Sequence, residues 1–149
     1  MIRKVNRVGP ITWKSSCNHI AIVIVKNDFI YVLENINGEN LVHEYIEFCR
    51  MHRHDFVLLR RLYRPEIHEL DISNILQKLE KALEDISSFE LGITVNYSSA
   101  IIGFVYHYFN WLDPEIDWTT LQLKDFSPEC SLSLNHDVKL GTYVLINKM

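Results

Sequence analysis

The first clear pattern along the chain is His19-Ile20-Ala21-Ile22-Val23-Ile24-Val25, β-branched and apolar at both parities, which predicts a strand covered on both faces. Lys26-Asn27-Asp28 has turn chemistry, and Phe29-Ile30-Tyr31-Val32-Leu33 resumes the β pattern. The two runs therefore predict an antiparallel hairpin with Glu34 at the end of its second strand. Asn37-Gly38 marks another turn, after which Leu41, Tyr45, Ile46 and Phe48 fall near helical spacing and predict a short amphipathic helix. Phe56 to Leu62 reads as a third strand, closed by Arg64-Pro65. From Asp71 the period changes. Ile72, Ile75, Leu76, Leu79, Leu83 and Ile86 form one stripe with charged residues opposite, which predicts a helix over 71–86.

Ser87-Ser88 and Gly92 break that helix. Tyr97-Ser98-Ser99 then leads into a second one over 98–110, in which Ile101, Val105, Phe109 and Leu112 share a face that should be largely buried. Asp113-Pro114 ends it, the stretch to Trp118 reads as a loop, and Val138 to Ile146 alternates well enough for one or two more strands around Gly141-Thr142. Neither an internal repeat nor a domain linker is visible. The expected architecture is α+β, one domain over 1–149: a small, mostly antiparallel sheet packed on the 98–110 helix, with the 71–86 helix covering another side.

Composition narrows the function classes. Hydrophobic residues make up 48% and charged residues 23% of the 149 positions, which excludes a disordered or low-complexity chain. A formal charge of -4 argues against nucleic acid as a partner, since phosphate neutralisation needs clustered Lys and Arg. The aliphatic run Ile20 to Val25 is far shorter than the roughly 20 residues of a membrane span, so no membrane span is expected and the chain reads as soluble. No secretion signal is evident. Cys17, Cys49 and Cys130 are an odd number at wide spacing, more natural in a reducing, cytoplasmic setting than in a disulfide framework.

The residues that suit chemistry are few. His19 and Glu34 stand fifteen positions apart on the two arms of the predicted hairpin, close enough for neighbouring strands to bring them together. A carboxylate beside an imidazole fixes its tautomer and orientation, as a His general base requires. A nucleophile is best placed at the start of a buried helix, where free N–H groups and the dipole stabilise a thiolate and a developing oxyanion. Ser98 occupies that place.

The string Asn18-His19-Ile20-Ala21-Ile22-Val23, a second strand ending in Leu33-Glu34 and a third ending in Arg60-Arg61-Leu62 resemble the first half of the circularly permuted papain-like hydrolases. That superfamily includes NlpC-type amidases, lecithin:retinol-acyltransferase-like enzymes and proteins of large DNA viruses. Tyr97-Ser98-Ser99-Ala100-Ile101-Ile102-Gly103-Phe104-Val105-Tyr106 is similar to the segment in which an aromatic-Cys-Ser triplet opens the buried helix. Trp118 and Lys124-Asp125-Phe126-Ser127 resemble a loop that follows it. The resemblance spans roughly residues 13 to 127 and implies a base at His19, an orienting carboxylate at Glu34 and a nucleophile at position 98. Two departures stand out. Ser98 replaces the thiol, and the Gly-Asp-containing strand that opens these proteins has no counterpart before Trp13. An alcohol, unlike a thiol, reacts only by concerted proton removal, so a site shaped for sulfur seldom works with oxygen.

Each residue also has a plainer account. Ser98 fits a helix cap, His19 a strand-end histidine satisfied by a carbonyl, and Glu34 a solvated carboxylate; their joint order sets them above these accounts. Cys130 lacks an activating helix, and Cys17 reads as a small buried residue two positions before His19. Cys49, His52 and His54 are a compact cluster without a second pair of ligands, better explained as a surface helix end than as a metal site. No cofactor and no metal are expected. The preferred reading is a catalytically inactive permuted papain-like domain that binds a protein partner, with Trp111, Asp113, Glu115, Asp117 and Trp118 as an acidic, aromatic rim. The resemblance to viral proteins adds the expectation of a virion component. The alternatives are a cysteine-type amidase, peptidase or acyltransferase whose nucleophile is replaced by Ser98, a serine variant of it, or a structural assembly subunit.

Overall fold

Asn27 and Asp28 both take positive φ, 51° and 65°, and join Lys26 to its cross-strand partner Phe29. That is the two-residue primed turn whose twist matches a tight hairpin. It links β2 (Cys17–Lys26) to β3 (Phe29–Ile36), as the sequence predicts. Asn37 at 54° and Gly38 at 87° repeat the device and connect β3 to β4 (Glu39–Glu44). Asn35 braces this second turn: its Oδ1 accepts from Gly38 N at 3.0 Å, and its Nδ2 donates to Asn40 Oδ1 at 2.8 Å. The predicted helix after Asn37-Gly38 is therefore displaced. Leu41 lies in β4 opposite Glu34, and only Tyr45–Met51 is helical, as α1.

The chain is seen in a computed structural model that describes residues 2–5, 17–53, 56–67, 70–88, 97–127 and 132–146. The remaining elements are β1 (Ile2–Val5), β5 (Phe56–Tyr63), α2 (Ile72–Ser88), α3 (Tyr97–Tyr108) and β6 (Lys139–Ile146). The six strands form one antiparallel sheet in the order β4-β3-β2-β1-β5-β6. The fold class is α+β. A strand precedes Trp13, though it contains no Gly-Asp: β1 sits mid-sheet, with Ile2 opposite both Ala21 and Leu59.

Alternation along β2 and β3 sorts side chains to two faces. Ile20, Ile22, Ile24 and Leu33 join Ile75, Leu79, Ile101, Ile102, Val105 and Tyr106 in the main core, between the sheet and the helices α2 and α3. Each such aliphatic side chain, fully buried, contributes about 1.5–3 kcal/mol. Ala21, Val32 and Phe48 form a smaller cluster under α1 on the opposite face. Trp111, expected on a rim, is instead buried at 6% exposure. Asn110 adopts φ 56° after α3 and turns the chain back, so that the Trp111 ring stacks on Phe109 and meets Tyr106 edge-on. Trp118 opens a short 3-10 turn, Trp118–Thr120, against α3, where a Cβ on Gly103 would stand 2.9 Å from Trp118 O and from Leu121 Cδ1. Arg60 ties the far side together, donating from Nε to Gly141 O at 2.6 Å and from Nη1 to Phe126 O at 2.9 Å. Among the described residues, no helix is long and apolar enough to cross a membrane.

Candidate active site

Glu34 is fully buried, although a strand-end carboxylate was expected in solvent. Its place follows from register. Glu34 pairs with Ala21 on β2 and with Leu41 on β4. Ala21 is small, which leaves space over the carboxylate for side chains leaning in from diagonal positions. His19, two residues before Ala21, uses that space: its Nε2 donates to Glu34 Oε2 at 2.6 Å.

Two further imidazoles converge on the same carboxylate. His52 closes the C-terminal end of α1, where its backbone N–H donates to Phe48 O at 3.0 Å. Its ring packs 4.4 Å from that of Phe48, and its Nε2 lies 3.2 Å from both Glu34 oxygens. His52 is thus a buried ligand of Glu34, and the surface helix end expected there is corrected. His43, on β4, brings Nε2 to 3.2 Å from Oε1 without making a hydrogen bond to it. Burial by itself would push the Glu34 carboxyl up, but hydrogen bonds from His19 and His52, and their charges, outweigh it and hold the group down at about 2. The carboxylate is anionic at neutral pH.

Ser98 completes a row. It is the second residue of α3, inside the first turn and not its cap. Its Oγ lies 3.4 Å from His19 Nδ1 and 3.5 Å from Asn35 O. Because Nε2 donates to Glu34, a neutral His19 would present the lone pair of Nδ1 to the Ser98 hydroxyl, which is the tautomer a general base needs. The three residues anticipated from sequence therefore meet: nucleophile position, imidazole and carboxylate, in that order. The first-turn N–H groups of α3 have no intrahelical acceptor, and free donors at a helix start are the kind that an oxyanion formed at position 98 would need. Chemically, the row aligns an alcohol, an imidazole and a buried carboxylate, groups that can pass a proton from the first toward the second.

Sequence reasoning does not find His43 and His52 as partners of Glu34. His43 is hidden because Leu41 falls near the helical spacing of Tyr45, Ile46 and Phe48; in the strand register set by Asn37-Gly38, position 43 falls on the face of Glu34. His52 had no sequence signal, since the angle of α1 over the sheet places it. Cys49 is a half-buried free thiol on α1, beside Tyr45, whose hydroxyl is pushed up by burial and by that thiol. Cys17 lies in β2, paired with Val5, while His54 and Cys130 lie outside the described residues. Among the described residues, no group of three or more His, Cys, Asp or Glu is arranged to hold a metal ion. Asp113, Glu115, Asp117 and Trp118 remain at the surface, wholly or in part, whereas Trp111 does not. No family model, no curated protein and no solved structure matches this chain.

Proposed function

We propose that this chain is a permuted papain-like domain that keeps the geometry of an acyl-transfer site and acts by binding a protein partner, without turnover. The observation that carries the reading is the hydroxyl of Ser98 in the attacking position, 3.4 Å from His19 Nδ1 and as near the Asn35 carbonyl. A thiol at this place would give up its proton readily beside an imidazole and a helix start. The Ser98 hydroxyl is far harder to ionise and reacts only as its proton is removed in the same step, so a site shaped for sulfur seldom works with oxygen. The resemblance to proteins of large DNA viruses extends the proposal to a component of such a particle.

A second reading is favoured by the row itself: Ser98, His19 and Glu34 stand in the order of a Ser-His-acid triad, so an acyl hydrolase or transferase, serine-based or with its cysteine replaced, is the competitor. Labelling separates the two. The chain is treated with a fluorophosphonate, and the Ser98→Cys variant with iodoacetamide, each with and without His19→Ala. No fluorophosphonate adduct on the chain, together with alkylation of Ser98→Cys that slows at least tenfold in the His19→Ala background, supports the binding reading. A stoichiometric adduct at Ser98 that depends on His19 overturns it in favour of turnover. A cysteine at position 98 no more reactive than a free thiol removes both.

A further inference from the structure

Three imidazoles meet one carboxylate, and a single negative charge cannot balance three positive ones. His52 takes the middle place: its Nε2 is 3.2 Å from each Glu34 oxygen, while His19 reaches Oε2 at 2.6 Å and His43 stands 3.2 Å from Oε1. The His19 and His52 rings lie 6.0 Å apart and are tilted by only 29°. The cluster is shielded from water, with the side chain of Glu34 fully buried and those of His52, His43 and His19 at 8%, 13% and 14% exposure. As neutral rings, His19 and His52 can each donate an Nε2–H to Glu34, so the cluster can be built with no extra proton. It then carries one negative charge. One added proton makes it neutral, and a second leaves an uncompensated positive charge in a buried place. Two like charges this close part their titrations, so the protons taken up belong to the set and not to one ring.

Other charged groups leave that balance to the cluster. Among the described residues, β2, β4 and α1 supply the three imidazoles, and α3 brings only the Ser98 hydroxyl, by way of His19. On α1, Glu47 and Arg50 pair with each other at the surface, 3.5 Å apart, and Cys49 engages Tyr45. Glu44 and Arg53, at the two ends of α1, are exposed. Lys4 of β1 is the cross-strand neighbour of His19, and a lysine keeps its charge where imidazoles titrate.

We propose that His52 regulates the row through the carboxylate it shares with His19: a proton on either imidazole opposes a proton on the other, so His52 keeps His19 neutral to lower pH than Glu34 alone would allow. The neutral ring turns the lone pair of Nδ1 toward Ser98 Oγ, 3.4 Å away, whereas the charged ring turns an N–H there. The end of α1 thereby decides whether a group bound at position 98 meets an acceptor or a donor. Phe48, itself buried, packs its ring 4.4 Å from that of His52 and fixes it for this task. His43 acts in the same sense and more weakly, because it makes no hydrogen bond to Glu34. The inference rests on the Ser98–His19–Glu34 row of the proposed function, and it holds whether that row binds or turns over.

The test follows the imidazole nitrogens of the full chain, labelled with 15N-histidine, by NMR from about pH 8 to pH 5, in the parent, in His52→Gln and in His43→Gln. Glutamine keeps an N–H donor for Glu34 but takes up no proton, so it preserves the hydrogen bond and removes the competition. In the parent, His19 and His52 should titrate as a coupled pair, each curve shallower than that of a single site and bending where the other takes its proton. In His52→Gln the His19 midpoint should rise by about half a pH unit or more and its curve should regain single-site steepness, with a smaller rise in His43→Gln. Independent single-site titrations of His19 and His52 in the parent, which needs no variant to fold, overturn the inference. So does a His19 midpoint that fails to rise in His52→Gln; were that variant unfolded, a His43→Gln midpoint at or below the parent's overturns it alike. None of these outcomes alters the labelling of position 98, so a failure here and a failure of the proposed function are read apart.

Discussion

Glu34 is the residue on which most of the site's electrostatics converge. Its carboxyl titrates near 4.5 when unfolded and about 2 when folded. Below pH 4.5 the unfolded chain takes up a proton that the folded chain refuses, so this contribution is complete above that pH and is lost as pH falls toward 2. The shift corresponds to about 3 kcal/mol, an order-of-magnitude figure. Urea unfolding of Glu34→Gln at pH 7 should show a loss of that order. Between pH 4.5 and 2.5 its stability should fall less steeply than that of the parent chain; equal slopes would mean that the imidazoles do not hold the carboxylate. At this scale the sequence was informative about His19, Glu34 and Ser98, because each sits at an element end whose place the local pattern defines. It was silent about the burial of Glu34, which depends on Ala21 across one strand pair and on a helix angle that no local spacing encodes.

Turn chemistry at the element scale makes a quantitative test. Asp28 holds φ 65° in the β2–β3 turn, a conformation that costs an ordinary residue about 1 kcal/mol and glycine almost nothing. Asp28→Gly creates Asn-Gly, the preferred pair for this turn, and should raise stability by about 0.5–1 kcal/mol, read as a higher thermal midpoint. Gly103→Ala should act in the opposite direction. The new methyl would press on the Trp118 carbonyl at 2.9 Å, a backbone atom that cannot swing aside, and a loss of about 1–3 kcal/mol in chemical unfolding is expected. The hairpin β2–β3 and the helices α2 and α3 were legible because their periods are unmixed over many residues. The short helix at Tyr45–Met51 is legible but its start is not, because a strand and a helix adjoin without punctuation and Leu41, in β4, falls by coincidence on the helical stripe of Tyr45 and Phe48.

For the molecule as a whole, β1 decides whether there is one sheet or two. Ile2-Arg3-Lys4-Val5 carries too little pattern to announce a strand, and its position is set by partners distant along the chain, Ile20 and Leu58 for Arg3. Proline at a central strand position removes a ladder donor and clashes with its neighbours. Arg3→Pro should therefore cost about 3 kcal/mol or more, against the ~5–15 kcal/mol that holds a domain of this kind, and circular dichroism should report lost β signal before lost helix. Strand order also has a consequence during synthesis. β2, β3 and β4 can pair as they leave the ribosome, but β5 waits for β6 until residues 64–138 have been made, roughly 4–15 s at ~5–20 residues per second. Through that interval one flank of β5 stays bare, and it is the segment a nascent-chain chaperone would have most reason to hold.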